Sequence, residues 1–113
     1  MKSKSEIKRK YKQHKADMGV FQIVNIENGN RLIDYSLDMN SKWNRHVSEL
    51  NFGVHKNSLF QYDWNELGKD CFSFEIISKL EYQENPSVNY TKELKALYEL
   101  VLEDINTMNA EFY

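Results

Sequence analysis

The chain has 113 residues, of which 41% are hydrophobic and 28% charged, and its 15 lysines and arginines nearly balance its 17 aspartates and glutamates. This composition predicts one domain with its own core and excludes a disordered tail. The single cysteine, Cys71, excludes a disulfide framework and a cysteine-rich zinc module. We expect a cytoplasmic protein, because no apolar stretch is long enough for a membrane span or the core of a signal peptide.

Charge is distributed unevenly along the chain. Residues 1–17 hold seven basic and two acidic residues, a net charge of +5, which leaves −7 for the remainder. A basic arm of this kind can contact the phosphates of DNA, with Lys8, Arg9 and Lys10 as candidate contacts. The sequence pI of 5.9 is low for a nucleic-acid-binding domain, so a solvated basic helix is the alternative. We therefore divide the chain into an arm, 1–17, and a domain, 18–113.

A helix and a β-hairpin are the first predicted elements in chain order. Ser3 and Glu6 have capping-box spacing, and side chains that recur every three or four residues continue the helical pattern: Ile7, Tyr11, His14 and Met18. Residues 20–26 are rich in β-branched and aromatic residues and predict a strand. Asn28-Gly29 is a hairpin turn signal, so residues 31–36 are predicted to return as the antiparallel partner.

Three helices and a third strand are predicted after the hairpin. Asp38 can cap a helix whose apolar face consists of Met39, Trp43, His46, Val47 and Leu50. A second helix ends at Gly68, and residues 72–76 alternate as a strand that is covered on one face. A last helix runs from about Thr91 to Ile105. The order α-ββ-α-α-β-α predicts an α/β (α+β) fold, a three-stranded, mostly antiparallel sheet packed by helices.

Three segments of the chain, Gly19-Val20-Phe21, Leu32-Ile33-Asp34 and residues 42–50, stand in a recognisable order. With them, the sequence from about residue 18 to residue 105 resembles the GIY-YIG nucleases, small α/β domains of DNA-cutting enzymes. Gly19-Val20-Phe21 resembles the first motif of this family, and Leu32-Ile33-Asp34 falls where the second motif begins. Residues 42–50 resemble the first long helix, which in the family offers an arginine and a histidine one turn apart. The order continues in three further segments, residues 55–57, 63–65 and 72–75.

The resemblance implies hydrolysis of a phosphodiester bond, with one divalent metal ion such as Mg²⁺ or Mn²⁺ as cofactor. In the family, tyrosines of the hairpin help to activate water, a basic helix residue stabilises the phosphate and a glutamate of the last helix holds the metal. The family-equivalent catalytic positions here are Phe21, Leu32, Lys42 and His46. Lys42 and Arg45 are the candidate nucleic-acid contacts on the helix, and the candidate metal ligand is Glu99, next to the family's glutamate position at Tyr98.

Most of these positions carry substituted residues. Phe21 and Leu32 have no hydroxyl group, Lys42 lacks the bidentate geometry of arginine, and Asp34 places a negative charge where phosphate would approach. His46 keeps the family's residue type, and the alternative is a packed structural histidine. For Lys42 and Arg45 the alternative to a phosphate contact is a solvated charge on the helix surface. The fold can persist because apolar positions carry its core.

These substitutions predict a GIY-YIG nuclease-like domain with lost or weakened phosphodiesterase activity that acts as a nucleic-acid-binding or accessory module. Two alternatives remain open. One is a divergent, divalent-metal-dependent DNA endonuclease with a rearranged site. The other is a protein-interaction domain without a nucleic-acid role, which the charge of −7 outside the arm favours.

Overall fold

A three-stranded sheet forms the centre of the protein, whose computed structural model describes residues 16–85, 87–106 and 111–113. The strands are β1 (Met18–Asn25), β2 (Arg31–Ser36) and β3 (Phe72–Leu80), in the order β2-β1-β3 with both pairings antiparallel. The helices are α1 (Met39–Asn51), α2 (Ser58–Leu67) and α3 (Tyr90–Asn106), with a short 3₁₀ helix, Lys69–Cys71, before β3. The predicted fold class is confirmed.

The prediction for the N-terminal helix is wrong at its last residue, Met18. The predicted helix of the arm lies outside the described residues, as do Lys8, Arg9 and Lys10. Met18 was expected on that helix, but it is the first residue of β1 and is buried beside the sheet. No helix in the described part of the chain is long and apolar enough to cross a membrane.

The sheet carries a separate hydrophobic cluster on each face, because side chains of a strand alternate between its two sides. On one face Phe21 and Ile23 pack with α1 and α2 in a cluster that includes Leu50, Phe60 and Trp64. On the other face Val20 and Ile33 pack against α3 in a cluster that includes Val101 and Ile105. The sheet is thus covered on both sides, and β2 is left at one edge.

A β-bulge interrupts the predicted alternation of β3. Val20 pairs with Ser78 while the next residue of β1, Phe21, pairs with Ile76, so Ile77 is an extra residue on β3. Ile77 packs with the cluster under α3, whereas Ile76 is 42% exposed. The predicted alternation of residues 72–76 is kept through Ile76, which pairs with Phe21, and it stops at the bulge, although Ile76 itself is partly exposed.

The C-terminal residues add a feature that the sequence did not predict. Tyr113 donates its backbone N–H to the carbonyl of Arg31 at 2.9 Å, so segment 111–113 lies along the start of β2. Its ring stacks on Phe60 with centroids 5.0 Å apart. Its hydroxyl donates to Asp63 Oδ2 at 2.7 Å and accepts from Asn25 Nδ2 at 3.0 Å. Burial and the bond to Asp63 raise the pKa of Tyr113, and the segment closes one end of the core.

Candidate functional site

A cleft of about 280 Å³ lies beside the edge strand β2. Its lining consists of residues 32–34 of β2, four residues of α1, residues 55–57 of the following loop, and Tyr98 of α3. Segment 111–113 pairs with β2 only at Arg31, and the cleft lies beyond it, at residues 32–34. Helices on opposite faces of the sheet form the two walls. The cleft therefore brings together segments that are far apart in sequence.

Helical spacing places the four α1 residues on one side of the helix. Asp38 caps the helix by accepting the backbone N–H of Ser41 at 3.1 Å, which fixes where the first turn begins. From there the cleft-lining residues recur at helical intervals of three or four: Lys42, Arg45, His46 and Glu49. The predicted helix and its cap are confirmed, and the helix presents its three charged side chains and its histidine to the cleft.

A chain of hydrogen bonds connects an aspartate and two histidines in the wall of this cleft. His46 Nε2 lies 2.9 Å from Asp34 Oδ2, and His46 Nδ1 lies 2.9 Å from Nε2 of His55. His55 Nδ1 accepts the backbone N–H of Asn57 at 3.0 Å. Both histidines are buried, at 6% and 8% exposure, and their rings stack with centroids 5.1 Å apart.

These contacts determine where the imidazole protons reside when both rings are neutral. Because Nδ1 of His55 accepts a backbone N–H, its proton is on Nε2, which donates to Nδ1 of His46. His46 then carries its own proton on Nε2 and donates it to Asp34. All four ring nitrogens are engaged within the chain. Neither histidine has a lone pair directed at a ligand in the cleft.

The surroundings shift the pKa values of two members of this chain of hydrogen bonds, Asp34 and His55. Burial acts to raise the pKa of Asp34, but hydrogen bonds from His46 and from the backbone N–H of Tyr35, with the charge of Lys42, hold it below its ordinary value of 3.8. Burial and then the neighbouring His46 lower the pKa of His55 below 6.5. Glu49 opposes this shift and Lys56 adds to it. We infer a charged Asp34 at one end of the chain of hydrogen bonds and a neutral His55 at the other.

The depressed pKa of His55 makes folding stability depend on pH. Between its pKa in the folded protein and 6.5, the unfolded chain binds a proton that the folded chain does not, so stability rises with pH in that interval. We expect the free energy of unfolding in urea to fall as the pH is lowered below about 6.5. In the variant His55→Gln, the free energy of unfolding should depend less steeply on pH in this interval. An equal slope in both proteins would contradict the proton assignment.

Two of the family-equivalent catalytic positions, Phe21 and Leu32, carry side chains without a reactive group. Phe21 is fully buried, with its ring edge directed toward His46 at a centroid distance of 6.3 Å, and Leu32 lines the cleft with an aliphatic side chain. Tyr98 has the only hydroxyl among the cleft-lining residues. Its ring packs against Tyr35 with centroids 4.7 Å apart, and burial raises its pKa, so its hydroxyl stays protonated.

The residues around the cleft do not fit the divalent metal that the resemblance implies. Glu99 is exposed and does not line the cleft, because the adjacent Tyr98 takes that direction from α3. Asp34 Oδ2 already accepts from His46, and Lys42 Nζ lies 3.9 Å from it. The described residues contain no group of three or more side chains that could hold a metal ion. Glu99 as a metal ligand stays a prediction.

Three cationic side chains reach the cleft. Lys42 is near Asp34, Arg45 Nε pairs with Glu49 Oε1 at 3.3 Å while remaining 73% exposed, and Lys56 is exposed. Lys42 and Arg45 were candidates from the sequence. His55 and Lys56 were recognised only as a segment in family order, since nothing in the sequence shows that the loop after α1 folds back against His46.

Comparison with known proteins identifies the fold. No protein-family model matches the sequence, and no curated protein matches it. The structure is similar to the catalytic domain of the intron endonuclease I-TevI in a single-residue variant, with a TM-score of 0.67 and 20% identity over 86% of this chain and 92% of that one. The catalytic domain of the homing endonuclease I-TevI gives a TM-score of 0.64 and 21% identity over 84% and 96%.

The chain has the GIY-YIG nuclease fold. The resemblance in fold that the motifs indicated is thereby confirmed. Phe21, Leu32 and Asp34 are the residues that the sequence resemblance assigns to two tyrosines and a glycine of the family pattern. Leu32 and Asp34 line the cleft, whereas Phe21 is buried. Similarity at this level of identity establishes the fold, and a function has to be argued from the cleft itself.

Proposed function

We propose that the chain is a GIY-YIG-fold module that binds the phosphate backbone of nucleic acid in the cleft beside β2 and hydrolyses it weakly or not at all. The observation that carries this proposal is the closed hydrogen-bond chain of Asp34, His46 and His55, in a cleft that three cations also line. The cations provide attraction for phosphate, and the histidines lack a free nitrogen to act as general base.

Binding is supported by the position of the charges. Lys42, Arg45 and Lys56 lie along one cleft, and two of them are exposed, so a phosphate backbone can approach without displacing the core. Contacts of this kind supply most of the sequence-independent affinity for nucleic acids. The structurally similar domains belong to endonucleases, enzymes that cleave nucleic acid. The arm, with its net charge of +5, would add attraction through Lys8, Arg9 and Lys10.

Weak or absent hydrolysis is supported by what the cleft residues can do chemically. A general base must accept a proton, and each imidazole nitrogen here is already a donor or an acceptor within the chain. Loss of one general acid or base typically lowers a rate by about 10²- to 10⁴-fold. Phe21 and Leu32, at the tyrosine positions, have no hydroxyl group, and the carboxylate of Asp34 already accepts a hydrogen bond. These residues therefore add nothing to the rate of hydrolysis.

The cleft cations can be tested directly by binding. We expect the double variant Lys42→Ala with Lys56→Ala to weaken binding of a dye-labelled oligonucleotide by about ten-fold at low salt and to reduce the slope of log affinity against log salt by about one to two. Fluorescence anisotropy at several salt concentrations measures both quantities. Lys92→Ala, an exposed lysine of α3 that does not line the cleft, provides a matched control.

Two results would contradict the proposal. One is the absence of binding by the wild-type protein at low salt. The other is that each charge removed lowers affinity equally, in the double variant and in Lys92→Ala. Attraction would then come from net charge and not from the cleft. The first result would favour the alternative of a protein-interaction domain, and the second would place the nucleic-acid contact outside the cleft.

A further inference from the structure

The loop that follows α1 exposes two apolar side chains beside the cleft. We name residues 52–54 the rim loop. Phe52 is 79% exposed and Val54 is 67% exposed. They are the two most exposed large hydrophobic side chains of the described residues, and they lie two positions apart, so together they form a candidate contact surface.

Helical geometry places Phe52 at the rim of the cleft. Phe52 follows Arg45 by seven residues and Glu49 by three, and its backbone is still helical, so the three side chains share one side of α1. Arg45 and Glu49 line the cleft, and so do His55 and Lys56 immediately after the rim loop. The rim loop thus lies between two cleft-lining segments.

The rim loop is held in place by its backbone. Val54 donates its N–H to the carbonyl of Glu49 at 2.9 Å, and Gly53 donates to the carbonyl of Leu50 at 3.2 Å. Gly53 has a φ of 74°, the left-handed conformation that this Schellman arrangement requires. A hydrophobic residue after the glycine usually packs back against the helix in this motif, but Val54 remains exposed. The two hydrogen bonds thus fix the backbone of the rim loop, and Phe52 extends from it into solvent.

We propose that Phe52 is a stacking platform for an unpaired base and that the cleft accepts single-stranded nucleic acid. This inference rests on the proposed function, because the cleft cations hold the backbone whose bases reach the rim loop. The charge favours this occupant. Arg45 precedes Phe52 by two helical turns on the same side of α1, and Lys56 follows it by four residues, and both line the cleft. A positive groove with an exposed aromatic ring is how single strands are bound without sequence preference. A duplex keeps its bases stacked on one another and gains nothing from the ring.

The experiment compares strands that differ only in their bases. Wild-type protein is titrated by fluorescence anisotropy into a dye-labelled oligothymidylate, an abasic strand of equal length, and a duplex of equal length. The variants are Phe52→Ala, Phe52→Trp, and as a matched control Tyr62→Ala, an exposed aromatic of α2 that does not line the cleft. Phe52 and Tyr62 are both exposed, so neither change should affect folding, which circular dichroism verifies.

We expect the base-bearing strand to bind at least about five-fold more tightly than the abasic strand, and Phe52→Ala to remove that difference without weakening abasic binding. Phe52→Trp should retain it, and Tyr62→Ala should have no effect. Equal binding of the two strands, equal loss in Phe52→Ala and Tyr62→Ala, or preferential binding of the duplex would overturn the inference while leaving the proposed function standing. Failure of every strand to bind would overturn both.

Discussion

Replacement of Gly19 by alanine is expected to destabilise the protein by at least about 3 kcal/mol. Gly19 lies in the central strand, and an added Cβ would clash with the backbone carbonyl oxygen of Ser78 and lie 2.9 Å from Lys79 Cα. Both obstacles are backbone atoms of β3, so the clash can be relieved only by separating β1 from β3. The glycine that resembles the first family motif is thus required by strand packing, whatever the activity.

Urea denaturation monitored by tryptophan fluorescence measures this effect, because Trp43 and Trp64 both pack in the cluster under α1 and α2. Gly53→Ala is the control: Gly53 also has a positive φ, but nothing lies within 4 Å of an added Cβ. Gly53→Ala should lower the free energy of unfolding by about 1 kcal/mol, the usual penalty for alanine in the left-handed region. A Gly19→Ala protein as stable as Gly53→Ala would show that β1 and β3 do not approach as closely as described.

Replacement of Asp34 by alanine should have opposite effects on binding and on stability. Without Asp34 the cleft loses a negative charge next to Lys42, so we expect affinity for nucleic acid to rise about ten-fold at low salt, equivalent to about 1.4 kcal/mol. The N–H of His46 loses its acceptor while still buried, so the free energy of unfolding should fall by about 1 to 3 kcal/mol.

Glu66→Ala removes the same charge from an exposed site on α2 that does not line the cleft. It controls for the overall change in net charge, and it should alter affinity far less than Asp34→Ala. Anisotropy with one labelled oligonucleotide gives both affinities, and urea denaturation gives both stabilities. Unchanged or weaker binding by Asp34→Ala would contradict the view that Asp34 restrains phosphate binding in this cleft.

Local signals in the sequence predicted most of the elements. The Asn28-Gly29 turn, the cap at Asp38 and the glycine at the end of α2 each specify a chain reversal or a helix end within a few residues. Helical spacing placed Lys42, Arg45 and His46 on one helix, and the structure brings all three to the cleft. These features depend on residues that are close together in the sequence, so local sequence patterns predict them.

The remaining features depend on contacts between distant residues. Ile77 is displaced by a bulge that arises from the pairing of β1 with β3, and periodicity in β3 alone contains no sign of it. Tyr113 packs on Phe60 across more than fifty residues. The pairing of His46 with His55 follows from the fold of the rim loop and from Asn57, whose backbone fixes the tautomer. Asp34 looked like a simple loss of a motif glycine, but in the structure it orients His46.

The most direct test of this account combines binding and cleavage in one reaction. Supercoiled plasmid is saturated with protein in the presence of Mg²⁺ or Mn²⁺, and complex formation and nicking are measured beside identically purified His46→Ala and Glu99→Ala proteins. The account predicts a protein–plasmid complex for the wild-type protein, with nicking no greater than that of either variant. Nicking by the wild-type protein that is lost in both variants would contradict it and would establish a rearranged, working nuclease site.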